Sequence, residues 1–590
     1  MFSRVRRSRP VLFLSALAMI TGPVAPLASR PPPRPTIVQP EGPVRCHQGD
    51  RESYMNMTGG GYGSVGKGMI GNTPMRVSPN VVMAPSPPPA MQSSQPVADA
   101  SAARAVAPYP FPYPQPQPQE DRERYSGKQV ASIFAVAQQP VSTFSIDVDT
   151  GSYANVRRFL TQGQAPPEAA VRTEEMLNYF RYDYPAPADR SRPFSVTTDM
   201  AETPWNPDSR LLRIGIKGYD IPRAERPAAN LVFLVDVSGS MFSQDKLPLV
   251  KSALSMLADR LSPRDRVSIV VYAGAAGIVL EPTNNARYVK AALDCLQAGG
   301  STAGGQGMEL AYATARANFI KGGVNRVIMA TDGDFNVGIS SDEGIEAIVK
   351  KNRESGITLT TLGFGQGNYN EAMMEHVADV GNGNYAYIDT ALEAQKVLDE
   401  EMAATLFTIA KDVKIQIEFN PALVKEYRLI GYENRVLAEE DFDNDKVDAG
   451  DIGSGHQVTA LYEVVPANAK GWLPVRHFED NRSTAEQSAH QGDLAWLKLR
   501  YKLPDGDSSM LIERAVPASL IAKAQAPRGD MAFASAVAAF GQKLRGDKYL
   551  GSFTYADIRR LAGEQRGYLR EEFLKLTSLA DSRQVATNTE

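Results

Sequence analysis

The run Leu231-Val232-Phe233-Leu234-Val235 is followed at once by Asp236-Val237-Ser238-Gly239-Ser240-Met241. Five consecutive apolar residues read as a strand buried on both faces. The run stops at a carboxylate and then offers two hydroxyls at alternate positions, with Gly239 between them to let the backbone turn. One carboxylate with two neutral oxygens suits a hard cation such as Mg²⁺. The end of a central strand is also where open α/β sheets bind ligands. The plainer alternative is a polar loop in which Asp236 and the serines cap the next helix.

Beyond this stretch the pattern alternates between strand and helix, the signature of a doubly wound sheet. Helices are expected over Leu247–Leu261, Arg287–Leu296, Met308–Phe319, Gly344–Ser355 and Glu371–Val380, with a long closing helix over Leu392–Ala410. Strands are expected over Val267–Tyr272, Arg326–Ala330, Ile357–Phe364 and Tyr385–Ile388, with Ile278–Leu280 as a short antiparallel neighbour. Cys295, on one of these helices, reads as a buried small hydrophobe. Two further strand ends carry oxygen: the glycine-rich turn at Gly299-Gly300-Ser301-Thr302, and Thr331-Asp332-Gly333-Asp334. Converging on Asp236, they supply two carboxylates and three hydroxyls, which waters or a partner complete to six ligands. Two aspartates balance a divalent ion, but hydroxyl ligands leave it electrophilic toward a partner's Asp or Glu. The glycines do not make a phosphate cradle, because no Gly-Lys-Ser/Thr ending follows them.

The constellation Asp236-x-Ser238-x-Ser240, Thr302 and Asp332 resembles the metal-ion-dependent adhesion site of von Willebrand factor type A domains, over about Asn230 to Phe407. The resemblance implies a Rossmann-like fold. It implies Asp236, Ser238 and Ser240 as first-loop metal ligands, Thr302 as a switchable second-loop ligand, and Asp332 as a third-loop carboxylate acting through water. Mg²⁺ is the implied cation, with Mn²⁺ or Ca²⁺ as alternatives. The segments Ser145-Ile146-Asp147-Val148-Asp149-Thr150 and Thr173-Glu174-Glu175-Met176-Leu177-Asn178-Tyr179-Phe180 resemble the N-terminal part of the exported bacterial branch of that family. Leu429–Arg435 and His456–Glu463 resemble its C-terminal domain of unknown function.

Around this unit the chain reads as follows. Residues 1–28 form a signal peptide, with Arg4, Arg6, Arg7 and Arg9 ahead of the apolar run Val11–Ile20. An uncleaved membrane anchor is the alternative there. Residues 29–126 are a Pro/Gly-rich disordered linker with too little apolar surface to offset ordering entropy. Residues 127–228 begin an accessory domain, 229–407 are the type A domain, and 408–590 are a β-rich domain with terminal helices. Strand patterns at Phe194–Thr198, Leu211–Lys217, Val413–Phe419, Glu426–Ile430, Thr459–Val464 and Ala495–Tyr501 are expected to form one β-sandwich, making the type A domain an insertion. Helices are expected over Asp530–Lys543, Tyr555–Leu561 and Leu569–Leu579.

Several chemistries are disfavoured. A formal net charge of −4, with 63 Lys+Arg against 67 Asp+Glu, offers no nucleic-acid surface. Two cysteines make neither a disulfide framework nor a zinc cluster. Asp149-Thr150-Gly151 lacks the second loop an aspartic protease requires and leads into a helix. Asp441-x-Asp443-x-Asp445 lacks the glycine and glutamate of a calcium loop and reads as solvated acid. None of the five histidines lies in the three metal-loop segments to activate Ser238. The expected function is a non-enzymatic, divalent-cation-dependent adhesion or scaffold module, exported to the periplasm or cell envelope, which binds an acidic residue of a protein partner. A metal- or serine-dependent hydrolase and an accessory subunit of a chaperone-type ATPase are the alternatives.

Overall fold

Two strands at the start of the described residues find their partners far away in sequence, and this decides the architecture. The computed structural model describes residues 123–587, apart from 126, 147, 303, 334–341, 475–491, 505 and 507. The expected signal peptide and the linker up to residue 122 lie outside the described residues. Among those described, no helix is long and apolar enough to cross a membrane.

The accessory domain begins with β1 (Phe134–Ala135), β2 (Val141–Ser145), helices α1 (Gly151–Thr161) and α2 (Thr173–Asn178), then β3 (Phe194–Glu202) and β4 (Arg210–Gly218). The chain next builds a complete α/β unit. Its strands are β5 (Ala229–Asp236), β6 (Arg266–Tyr272), β7 (Ala276–Thr283), β8 (Val324–Thr331), β9 (Thr358–Phe364) and β10 (Tyr385–Ile388), in the order β10-β9-β8-β5-β6-β7. All pair in parallel except β7, which runs antiparallel to β6. The helices are α3 (Leu247–Ala258), α4 (Ala286–Cys295), α5 (Gly304–Ala317), α6 (Asp342–Arg353) and α7 (Glu371–Val380).

Every residue of β5 is buried, and its alternation serves two cores. Leu231, Phe233 and Val235 pack with α3 and α4, while Val232 and Leu234 pack with α5, α6 and α7. Each such side chain contributes roughly 1.5–3 kcal/mol on burial, so the strand is pinned in register from both sides.

The closing helix is shorter than the sequence pattern suggests. It breaks into Ala391–Gln395, a π-type turn over Lys396–Glu400, and Met402–Leu406. Thr408–Ala410, expected to be helical, instead open strand β11 (Thr408–Phe419). There Thr408 and Ala410 pair with β14 (Ile452–Gly453), and Ile409 is buried in the sandwich core. Ladder pairing and that burial outweigh the local helical preference. Cys295 also departs from expectation: it is half-buried and disulfide-bonded.

The remaining strands are β12 (Val424–Ile430), β13 (Val436–Leu437), β15 (Gln457–Pro466), β16 (Asp493–Lys502) and β17 (Ser509–Pro517). They complete two antiparallel sheets, β1-β12-β15-β4-β3 and β13-β2-β11-β16-β17, with β14 attached to β11. Both sheets thus combine strands from before and after the α/β unit, so the type A unit is an insertion as expected. Phe144, Phe419, Tyr427 and Tyr462 meet between the sheets. Strand β17 carries no clean apolar face, with Met510 and Leu511 exposed, and is held by its ladder with β16. Asp443 and Asp445 pair with Arg500 at the surface, in keeping with a solvated acidic loop.

Helices α8 (Gly529–Leu544), α9 (Tyr555–Ala562) and α10 (Tyr568–Thr587) pack on α1 and α2 through Phe180, Phe533, Phe540 and Phe573. Buried arginines lock the insertion to this frame. Arg157 on α1 bonds Asp389 and Glu393 of the type A unit and Glu572 on α10. Arg172 bonds Glu175, Glu371 on α7 (2.9 Å) and Glu375 (3.5 Å). Burial pushes the Glu371 carboxyl up to about 7 against the pull of Arg172. Replacing Arg172 by Met strands these carboxylates in the interior. We expect a loss of about 3–5 kcal/mol, read as a lower urea midpoint than that of the wild-type chain.

Candidate metal centre

Strand β5 delivers Asp236 to the carboxyl edge of the sheet at the point where β8 and β6 diverge on its two sides, the crevice of an open α/β fold. The side chain is fully buried and already oriented. Its Oδ1 accepts from the Ser238 amide (2.8 Å) and its Oδ2 from the Thr331 hydroxyl (2.9 Å). The chain then makes a 3₁₀ turn over Gly239–Phe242, which brings the Ser238 and Ser240 hydroxyls to 3.0 Å of one another. Ser238 is buried and Ser240 half-buried, so the pair opens outward from the carboxylate.

The second loop is zipped to the first through backbone. The Gly239 amide donates to the Gly300 carbonyl (2.9 Å), and the Gly299 amide donates to Val237 (2.8 Å). A Cβ at Gly239 would come within 3.3 Å of that Gly300 oxygen, so a side chain there would crowd the zip. Thr302 follows two residues later, 7% exposed, just ahead of α5. The glycines Gly304, Gly305 and Gly307, which precede the expected helix start at Met308, lie inside α5. Gly307 packs on the Tyr272 side chain, which a Cβ would meet at 2.7 Å, so tertiary packing uses the missing side chain.

The third loop leaves β8 at Thr331. Asp332 is fully buried, and Gly333 turns the chain at φ +84, where a Cβ would lie 2.7 Å from the Asn370 amide nitrogen. The Asp332 Oδ2 accepts from the Lys246 ammonium (2.9 Å) and from Asn368 Nδ2 (3.3 Å). Burial, and then the charge of Asp332, push the Asp236 carboxyl up to about 7, against the hydrogen bonds from Ser238 and Thr331. The structure therefore brings Asp236, Ser238 and Ser240 together, sets Asp332 within electrostatic reach of them, and fastens the Thr302 loop by its backbone. Thr331, Lys246 and Asn368 escaped the sequence reading. Thr331 had a usable signal as the last residue of a strand beside Asp332, whereas nothing in the sequence ties Lys246 or Asn368 to that carboxylate.

The oxygens fit a hard cation: two carboxylates forced together away from water, with hydroxyls beside one of them. Among the described residues no group of three or more His, Cys, Asp or Glu side chains could hold a metal, which sets this hydroxyl-rich arrangement apart from zinc or multi-carboxylate centres. The protease-like Asp149 has other work. It accepts from the Tyr385 amide (2.9 Å) and pairs with Arg435 (3.1 Å), while Thr150 stands at the helix cap position without a side-chain capping bond.

A central strand ending in these oxygens, flanked by two polar loops in a sheet of this order, is the architecture of von Willebrand factor type A domains. The model of that domain matches residues 230–401. A model described as von Willebrand factor matches 119–213, and one described as uncharacterized protein YfbK, C-terminal, matches 404–582. The chain belongs to the family of the uncharacterized protein YfbK of Escherichia coli (strain K12), to which it is 50% identical over 459 residues, 76% of this chain and 79% of that protein. An uncharacterized protein of Synechocystis is 32% identical over 187 residues, 31% of this chain and 43% of that one. Among solved structures, a von Willebrand factor type A protein from Catenulispora acidiphila is 15% identical, covering 61% of this chain and 80% of that chain with a TM-score of 0.34. Type A domains are typically non-enzymatic protein-interaction modules.

Because the folded Asp236 carboxyl titrates above its unfolded value, its penalty is absent at about pH 4 and grows as pH rises through about 7. Asp236→Asn keeps the acceptor for Ser238 but removes the charge. With chelator present it is expected to melt several degrees above wild type at pH 8 and at the wild-type temperature at pH 4, as followed by circular dichroism.

Proposed function

We propose that this protein is a divalent-cation-dependent binding module of the bacterial cell envelope, and that an acidic side chain of a protein partner completes the metal's coordination. Asp236, Ser238 and Ser240 would hold the ion from the first loop, Thr302 from the second and Asp332 from the third. The observation that carries the reading is the pairing of two buried carboxylates with adjacent serine hydroxyls at the crevice of the sheet. Such a set binds Mg²⁺ or Mn²⁺ while leaving a coordination position for an outside oxygen.

A binding role also suits the immediate chemistry. The Ser238 hydroxyl pairs with Ser240 rather than with a base that would make it a nucleophile. Export is supported by the arginine-led apolar run near the N-terminus.

The test uses the full chain. Mn²⁺ binding is followed by calorimetry, and partner capture from envelope extract is compared with Mg²⁺ and with chelator. Asp236→Ala is expected to weaken Mn²⁺ binding at least about tenfold and to abolish the Mg²⁺-dependent part of capture. Capture that is equal with chelator present, or equal in the variant, rules the reading out.

A further inference from the structure

One side chain bonded to the third-loop carboxylate is a cation supplied by the chain itself. Lys246 ends the turn after the serine loop, where its amide donates to Ser243 (3.0 Å) and its carbonyl accepts the first bond of α3 from Val250 (2.9 Å). Both ends of the residue are therefore fixed. Its methylenes run over Gly365, a residue at φ +75 where any Cβ would collide with Cγ and Cε of the lysine. The ammonium emerges from that trough 2.9 Å from Asp332 Oδ2 and 3.0 Å from Asn368 Oδ1. The residue is 7% exposed, so it is a built part of the interior and not a passing surface chain.

We propose that Lys246 is the built-in counter-charge that makes metal and acidic ligand bind to this site together; the inference rests on the metal-binding reading above. Among the described residues, the two buried carboxylates in the ionised form that a cation requires, with one ammonium, give the centre a single negative charge. A divalent ion then turns it positive by one, and hydroxyls and water cannot discharge the excess. A carboxylate from the ligand restores neutrality. In a site shielded from water, each of these steps weighs far more than it would in solution. The lysine therefore lowers affinity for the metal alone and raises the dependence of metal binding on an acidic ligand. By linkage, the factor by which acetate tightens metal binding equals the factor by which metal tightens acetate binding. Without Lys246 the two aspartates would neutralise the ion unaided and an added carboxylate would gain little.

The experiment titrates Mn²⁺ into the full chain by calorimetry, with and without excess acetate as the stand-in carboxylate. It compares wild type, Lys246→Met, Lys246→Gln, Lys246→Arg and Asp236→Ala. The neutral variants are expected to bind Mn²⁺ alone about tenfold or more tightly than wild type, and to lose most of the tightening by acetate. Lys246→Arg, which keeps the charge, is expected to follow wild type. In melting experiments the neutral variants should fall below wild type with chelator, because Asp332 has lost its counter-ion, and should recover with Mn²⁺. Unchanged Mn²⁺ affinity and acetate response in folded Lys246→Met or Lys246→Gln overturn the proposal. If Asp236→Ala still abolishes binding in that case, the metal-site reading stands and only the role of Lys246 fails. If Asp236→Ala binds Mn²⁺ as wild type does, the site reading and this inference fall together.

Discussion

Two aspartate side chains share a space that the fold has emptied of water, and most of the structure around them serves to hold them there. Asp236 ends β5 and Asp332 directly follows its parallel neighbour β8, both are fully buried, and the mostly apolar, buried strands behind them hold both in place. Burial raises the titration of Asp236, and repulsion from the neighbouring carboxylate of Asp332 adds to it. The chain relieves the repulsion with amide and hydroxyl donors to one carboxylate, and with an ammonium and an amide to the other. What remains is a preorganised cluster of oxygens whose strain is paid by the packing of β5 on its two helical layers.

That packing has a second support in the way the unit is mounted. Both sheets of the sandwich combine strands from before and after the insertion, so the two ends of the type A unit are held by one continuous core. Arg157 and Arg172 reach from the frame into the insertion and bond carboxylates near the ends of its last strand and last long helix. Removing an isolated buried arginine of this kind leaves uncompensated charge, so the contacts specify one seating more than they add net stability. The metal-loop face lies at the opposite functional extreme, with Gly239 and Ser240 left accessible at the rim. A rigid base with an open crevice is the geometry expected of a binding module whose partner supplies the final contact.

Much of this was legible from residue patterns. The apolar run of β5, the alternation of helix and strand after it, and the Asp-x-Ser-x-Ser turn are local signals that owe nothing to distant parts of the chain. The bounds of α7 and β10 agree with their expected ranges. Local signals misled where tertiary forces opposed them. Thr408–Ala410 joined a strand because β14 offered ladder partners and the sandwich core took Ile409. Gly307 joined a helix, where Tyr272 packs against its missing side chain. Strand β17 escaped notice because an edge strand with exposed Met510 and Leu511 has no period-two pattern to read.

The sequence by itself determined the elements, the class of sheet and the identity of the oxygens, because each of those is set by the spacing of residues a few positions apart. Only the tertiary structure decided which groups face those oxygens. Lys246 reaches Asp332, Thr331 reaches Asp236 and Asn368 reaches Asp332 across separations of 86, 95 and 36 residues. No periodicity encodes such meetings. They arise when parallel strands in a fixed order bring their ends to one edge, and the charge balance of the site is settled there.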